Sequence, residues 1–93
     1  MPNVRVYTTS FCGYCTQAKN LLKKRNIPFE EIDVTRDSAM RAWLVETTGL
    51  RTVPQIFIGE EAIGGSDELH ALDRSGELAA RLASPKRDRL AGP

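Results

Sequence analysis

Residues 9–16 read TSFCGYCT, and they hold both cysteines of a 93-residue chain, Cys12 and Cys15. Upstream, NVRVYTT (residues 3–9) alternates Val4, Val6 and Thr8 with Arg5 and Tyr7, a period of two that predicts a strand running into the cysteines. Downstream, Ala18, Leu21 and Leu22 recur at helical spacing from Gly13 to about Arg25, while Lys19, Lys23 and Lys24 face elsewhere. Pro28 closes that segment. The two thiols therefore stand where a strand ends and a helix begins.

That position carries chemistry. A helix start offers unpaired N–H groups and the positive end of the helix dipole, which favour a thiolate over a thiol. The thiolate is both the attacking and the leaving group of disulfide exchange. Cys15, one turn further on, is expected to face Cys12 closely enough to form an intramolecular disulfide, so that Cys12 attacks and Cys15 resolves. A structural zinc site would need two further Cys or His ligands, and His70 is the only one the chain has. Two cysteines serving only as small apolar side chains fit poorly with a strand-to-helix junction.

Composition narrows the field. Thirteen Lys and Arg against twelve Asp and Glu leave a formal charge of +1, which gives no reason to expect a nucleic acid or an anionic membrane as partner. No stretch approaches the roughly 20 apolar residues of a membrane span. The start MPNVRVYTT lacks the basic, apolar and small-residue layout of a secretory leader. The expectation is a cytoplasmic protein, where a pair of nearby thiols is redox-active or metal-binding rather than a structural staple. The length suits one domain with its ligand site in a surface groove.

The remaining chain continues an α/β order. Residues 28–34 (PFEEIDV) form a second strand with Phe29, Ile32 and Val34 apolar. Residues 36–49 form a second helix with Ala39, Met40, Trp43 and Leu44 on one face and Gly49 as its stop. The first elements read as a βαβ unit with parallel strands. Gln55–Ile58 and Glu61–Ile63 read as a hairpin turning at Gly59 and Glu60. Leu69, Leu72, Leu78 and Leu82 then mark one or two short helices broken near Gly76. Phe29, Met40, Trp43 and Phe57 are expected to pack, and His70 to lie away from the site. Residues 1–84 make the folded domain, and residues 85–93 (PKRDRLAGP) a tail reaching into solvent.

With CGYC (12–15) after the first strand, TVP (52–54) before the third and GGSDEL (64–69) after the fourth, residues 3–83 resemble a glutaredoxin of the short bacterial dithiol type. The resemblance implies a thioredoxin fold: a four-stranded mixed sheet in the order 2-1-3-4, its last two strands antiparallel, flanked by three to four helices. It also implies a glutathione-dependent thiol–disulfide oxidoreductase working through Cys12 and Cys15. Its partners would be glutathione and glutathionylated or disulfide-containing proteins, and its state a monomer.

The same resemblance assigns a glutathione site. The Val53-Pro54 bond is expected to be cis, with Thr52, Val53 and Pro54 against the cysteinyl part of glutathione and Tyr14 packing on it. Gly65, Ser66 and Asp67 would hold the γ-glutamyl end. On their own residues, the two glycines allow close backbone approach, and Ser66 or Asp67 can cap a helix. Arg41 would take the glycine carboxylate, because Thr9 stands where family members commonly have a lysine.

Two other roles stand beside this one. A [2Fe-2S] cluster could be shared between two copies through Cys12 and two glutathiones. Gly13, in place of the usual proline, leaves room for that, whereas Cys15, Tyr14 and the uninterrupted GLRTVP weigh against it. Reduction by a flavoenzyme in place of glutathione is disfavoured by GGSDE.

Overall fold

The alternation at the front of the chain becomes the centre of a sheet. In the computed structural model, which describes residues 4–83, the order is β1 (Val4–Thr8), α1 (Gly13–Lys24), β2 (Glu30–Asp33), α2 (Ser38–Thr48), β3 (Gln55–Ile58), β4 (Glu61–Gly64), α3 (Ser66–Ser75) and α4 (Glu77–Ala83). The tail expected over residues 85–93 lies outside the described residues. The sheet order is β2-β1-β3-β4. β1 pairs in parallel with β2, Tyr7 opposite Ile32, and antiparallel with β3, Val6 opposite Ile56. The hairpin to β4 turns at Gly59 and carries an irregularity between Ile56 and Phe57. Among the described residues, no helix is long and apolar enough to cross a membrane.

Because strand side chains alternate between faces, β1 and β3 feed two cores. Val4, Val6, Ile56 and Ile58 meet α1, α3 and α4 through Ala18, Leu22, Leu69 and Leu78. Tyr7 and Phe57 meet α2 through Leu44, with Val34 beneath. β3 is buried along its whole length, as its unbroken QIFI run requires of a strand covered on both sides. Each fully buried Leu or Ile contributes about 1.5–3 kcal/mol.

Two expected details differ. β2 is shorter than its apolar residues suggested: Phe29 and Val34 flank it and still pack inward, Val34 completely. On α2 the face read from apolar residues is rotated. Leu44 is buried and Met40 half-buried, but Ala39 is exposed. Trp43 lies over the central strands, 5.9 Å from both Tyr7 and Phe57, yet keeps more than a third of its surface in water. A helix of eleven residues crossing a twisted sheet touches it over little more than one turn.

The helix ends are set locally. Asp37 accepts the Met40 N–H at 2.9 Å to start α2, and Gly49, at φ +77, ends it. At the far end of α1, Arg25 grips Asp73 of α3 with two bonds, Nε at 3.0 Å and Nη2 at 2.9 Å.

Candidate active site

Cys12 is the N-cap of α1, in extended backbone, and its sulfur accepts the backbone N–H of Cys15 at 3.1 Å. A bond of this kind strengthens when the sulfur is charged. The same sulfur lies 3.8 Å from the carbonyl oxygen of Val53, to which the thiol form donates. Cys12 is partly exposed, Cys15 is buried, and neither is in a disulfide.

The two thiols differ because of the helix stripe. Cys15, Ala18 and Leu22 fall on the face of α1 that enters the core, so the Cys15 thiol is part of the packing. Burial is the main force that pushes its thiol up to about 12. The Cys12 sulfur adds to this, while the Thr9 backbone and Lys19 pull the other way. Lys19, off the apolar stripe as its spacing implies, reaches across to the sheet. Its ammonium bonds Glu31 on β2 at 3.0 Å, and the Thr8 hydroxyl donates to the same carboxylate oxygen at 2.9 Å. Lys19 and Thr8 together hold the Glu31 carboxyl below its ordinary range, against the opposing effect of its partial burial.

A groove of about 650 Å³ opens at Val53, whose carbonyl oxygen faces the Cys12 sulfur, although Cys12 itself does not line it. It brings together Tyr14, Thr52, Val53, Pro54, Gly65, Ser66 and Asp67, seven of the residues singled out from the sequence. The Val53-Pro54 bond is cis. Tyr14 is mostly exposed at the rim. Arg41 is not among the groove's lining residues. It lines a smaller depression with Leu50 and Arg51, and its guanidinium donates to the carbonyls of Val34 and Thr35 in the turn before α2. Thr9 lies with Cys12 and Lys19 in a further depression on another side of the thiol.

The far wall of the groove is built differently from the sequence expectation. Neither Ser66 nor Asp67 caps α3; Gly65 is the N-cap residue, and the Glu68 carboxylate accepts its N–H at 2.7 Å. Glycine has no side chain to return the bond, so this is half of a capping box. The buried Ser66 hydroxyl instead approaches Nδ1 of His70 at 3.3 Å, a nitrogen also 2.8 Å from the Ser66 carbonyl oxygen. His70 thus stands one turn behind the groove wall, closer to the site than its sequence position suggested. Gly65 eases the approach: a Cβ there would lie 3.3 Å from the Pro54 carbonyl oxygen, a tight contact.

Gln55 is the residue that sequence reasoning missed. Its buried amide donates to the carbonyls of Leu50 at 2.9 Å and Thr52 at 3.0 Å, and accepts the Thr48 hydroxyl at 2.8 Å. These three bonds hold the loop that presents Thr52 and Val53. A lone glutamine opening an apolar strand run was the available signal. Among the described residues, no three His, Cys, Asp or Glu side chains gather as a metal site.

Comparison with known proteins agrees with this geometry. The family model described as Glutaredoxin matches residues 4–63. A glutaredoxin of Pseudomonas aeruginosa is 48% identical over 84 residues, covering 90% of this chain and 100% of its own. Glutaredoxin 3 of Escherichia coli is 44% identical over 78 residues, covering 84% and 94%. Among solved structures, a buckwheat glutaredoxin–glutathione complex superposes with a TM-score of 0.83 at 33% identity, over 88% of this chain and 77% of that one. The Brucella melitensis glutaredoxin gives 0.79 at 43% identity, over 88% and 89%.

Proposed function

The chain belongs to the glutaredoxin family and is a glutathione-dependent disulfide oxidoreductase, and from that premise we propose that it reduces protein–glutathione mixed disulfides, with low-molecular-weight and protein disulfides as further substrates. The observation that carries this reading is the single groove that joins the cis-proline loop to the start of α3 beside the Cys12 sulfur. Its volume of about 650 Å³ suits a tripeptide.

In this reading the cysteinyl backbone of glutathione pairs with the N–H and C=O of Val53 as one short added strand. The γ-glutamyl carboxylate lies at the start of α3. There the Gly65 N–H is already taken by Glu68, which leaves the N–H groups of Ser66 and Asp67 as donors. The Asp67 carboxylate faces the α-amino group, and Tyr14 covers the ligand from the rim. Arg41 is left out of this set, because it does not line the groove and its Nη1 is spent on two carbonyls of its own chain.

The cycle follows from disulfide exchange. The Cys12 thiolate attacks the glutathione sulfur of the mixed disulfide, and the target leaves as a thiolate that takes up a proton. A second glutathione then attacks the enzyme-bound one, yielding glutathione disulfide and free Cys12. Alternatively, Cys15 displaces the bound glutathione and closes the Cys12–Cys15 disulfide. The protein acts as a monomer in the reducing cytoplasm, where both cysteines stay free between turnovers.

The test uses glutathione as sole reductant and follows release of glutathione from a glutathionylated peptide by the wild type and by Cys15→Ser. Turnover by both supports the reading. If neither turns over, the glutathione site is misassigned, and a dimer with iron–sulfur absorption after anaerobic reconstitution would favour the [2Fe-2S] role instead.

A further inference from the structure

We infer that Phe11 is a specificity-determining residue for polypeptide disulfides, meeting an apolar side chain next to the target cysteine that becomes bonded to Cys12. The inference rests on the reading of the chain as a reductant of protein disulfides and adds which targets it prefers.

Phe11 is anomalous on two counts. Its side chain packs on nothing in its own chain, being 106% exposed, and its backbone sits at φ +59, a left-handed conformation unusual for a bulky residue. Glycine or asparagine would occupy that backbone at less cost. Nor does the loop need the ring. The Ser10 N–H donates to the Thr35 hydroxyl oxygen at 2.8 Å, which ties the segment to the turn after β2. Neither packing nor loop geometry accounts for a phenylalanine here, so its use lies outside the chain.

Its position says what it meets. Phe11 lines the depression that it shares with Cys12, Thr9 and Lys19, whereas Tyr14 lines the groove. The Cys12 thiolate attacks one sulfur of a target disulfide. The Cys12–target bond forms, the target's own S–S bond breaks, and its second sulfur leaves as a thiolate that takes up a proton. In this mixed disulfide the two Cα atoms lie about 5.5–6 Å apart, and each cysteine's neighbour is about 3.8 Å further along its chain. The residue beside the target cysteine therefore comes within reach of the Phe11 ring. An aliphatic or aromatic side chain there removes apolar surface from water on both partners. Cys15 then gives up its proton and attacks the Cys12 sulfur, the target leaves with both electrons as a dithiol, and glutathione reduces the Cys12–Cys15 disulfide.

The test compares two disulfide-linked peptides that differ only in Leu or Ser beside each cysteine, with hydroxyethyl disulfide as a substrate that has no flanking residues. The wild type is expected to prefer the Leu peptide about tenfold in kcat/KM. Phe11→Ser and Phe11→Gly should bring that ratio to about one, and Phe11→Leu should keep most of it. A preference that survives Phe11→Ser overturns the proposal. So does a loss shared equally by both peptides and hydroxyethyl disulfide, since the residue would then be shaping the Cys12 loop. A wild type that turns over hydroxyethyl disulfide without distinguishing the peptides also overturns it, while the oxidoreductase reading stands. A wild type inactive on all three removes both.

Discussion

The backbone N–H of Cys15 is aimed at the sulfur of Cys12 from 3.1 Å, while the side chain of the same Cys15 is shut into the core. One residue thus holds the proposed nucleophile with its main chain while its own thiol stays buried. The division follows from the first turn of α1, which places the third residue after an N-cap over the cap and turns its side chain inward.

A difference in pH dependence follows. The Cys15 thiol is pushed up to about 12, chiefly by burial. When Cys12 is held in a mixed disulfide, the part owed to the Cys12 sulfur falls away and burial remains. Ionised Cys15 is then scarce at neutral pH and increases about tenfold per pH unit. Closure of the Cys12–Cys15 disulfide, followed by stopped flow, is expected to accelerate steeply between pH 7 and 9. Glutathione release by Cys15→Ser lacks this step and is expected to rise far less. Equal slopes would show that Cys15 ionisation does not limit closure.

Gln55→Leu removes three hydrogen bonds at a buried position and leaves the Leu50 and Thr52 carbonyls without their donor. A loss of about 2–3 kcal/mol is expected in denaturant unfolding. Because the loop presents Val53, KM for glutathione should rise more than kcat falls. A stable variant with an unchanged KM would show that the loop holds its shape without Gln55.

Gly64 sits at φ +110, and a Cβ there would come within 2.8 Å of the Glu68 side chain. Glu68 could swing aside, but the Gly65 N–H would then lose its acceptor. Gly64→Ala is therefore expected to cost roughly 2 kcal/mol, or on the order of 10 °C in Tm. Glu68→Ala should cost about half as much, since it removes the cap without straining the backbone. Equal effects from the two variants would refute the backbone part of the argument.

Arg41→Ala separates a role in the turn from a role in ligand binding. With its guanidinium on the Val34 and Thr35 carbonyls, the variant should lose about 1–2 kcal/mol of stability and bind glutathione nearly as well as the wild type. A large loss of affinity at unchanged Tm would return Arg41 to the binding set.

Element order, sheet order and the cis proline were legible because their signals are local or carried by family motifs: alternation in β1, the TVP tripeptide, and glycines at the ends of α2 and α3. The groove was legible for the same reason, since its residues come in three short motifs. What escaped depends on contacts between segments. Gln55 looks like one polar residue in an apolar strand, and its partners are Thr48 at the end of α2 and Leu50 and Thr52 in a loop without periodicity. Arg41 shares a helix surface with several polar residues, and nothing in its spacing tells whether a ligand or its own backbone will engage it. The left-handed backbone of Phe11 has no pattern to betray it, because a phenylalanine there breaks the residue preference by which such positions are usually recognised.

The double bond between Arg25 and Asp73 has a mechanical meaning. Cys12 and Gly65 stand at the beginnings of α1 and α3, and Arg25 and Asp73 at or near their ends, so the two helices form the arms of a pair of tongs with the proposed glutathione position between the tips. The rivet lies about 20 Å from the jaw along α1 and about 12 Å along α3, at 1.5 Å per residue. It is an ion pair open to water, which dissolved salt weakens. Raising the ionic strength is thereby expected to loosen the grip from the handle end, without any ion entering the site.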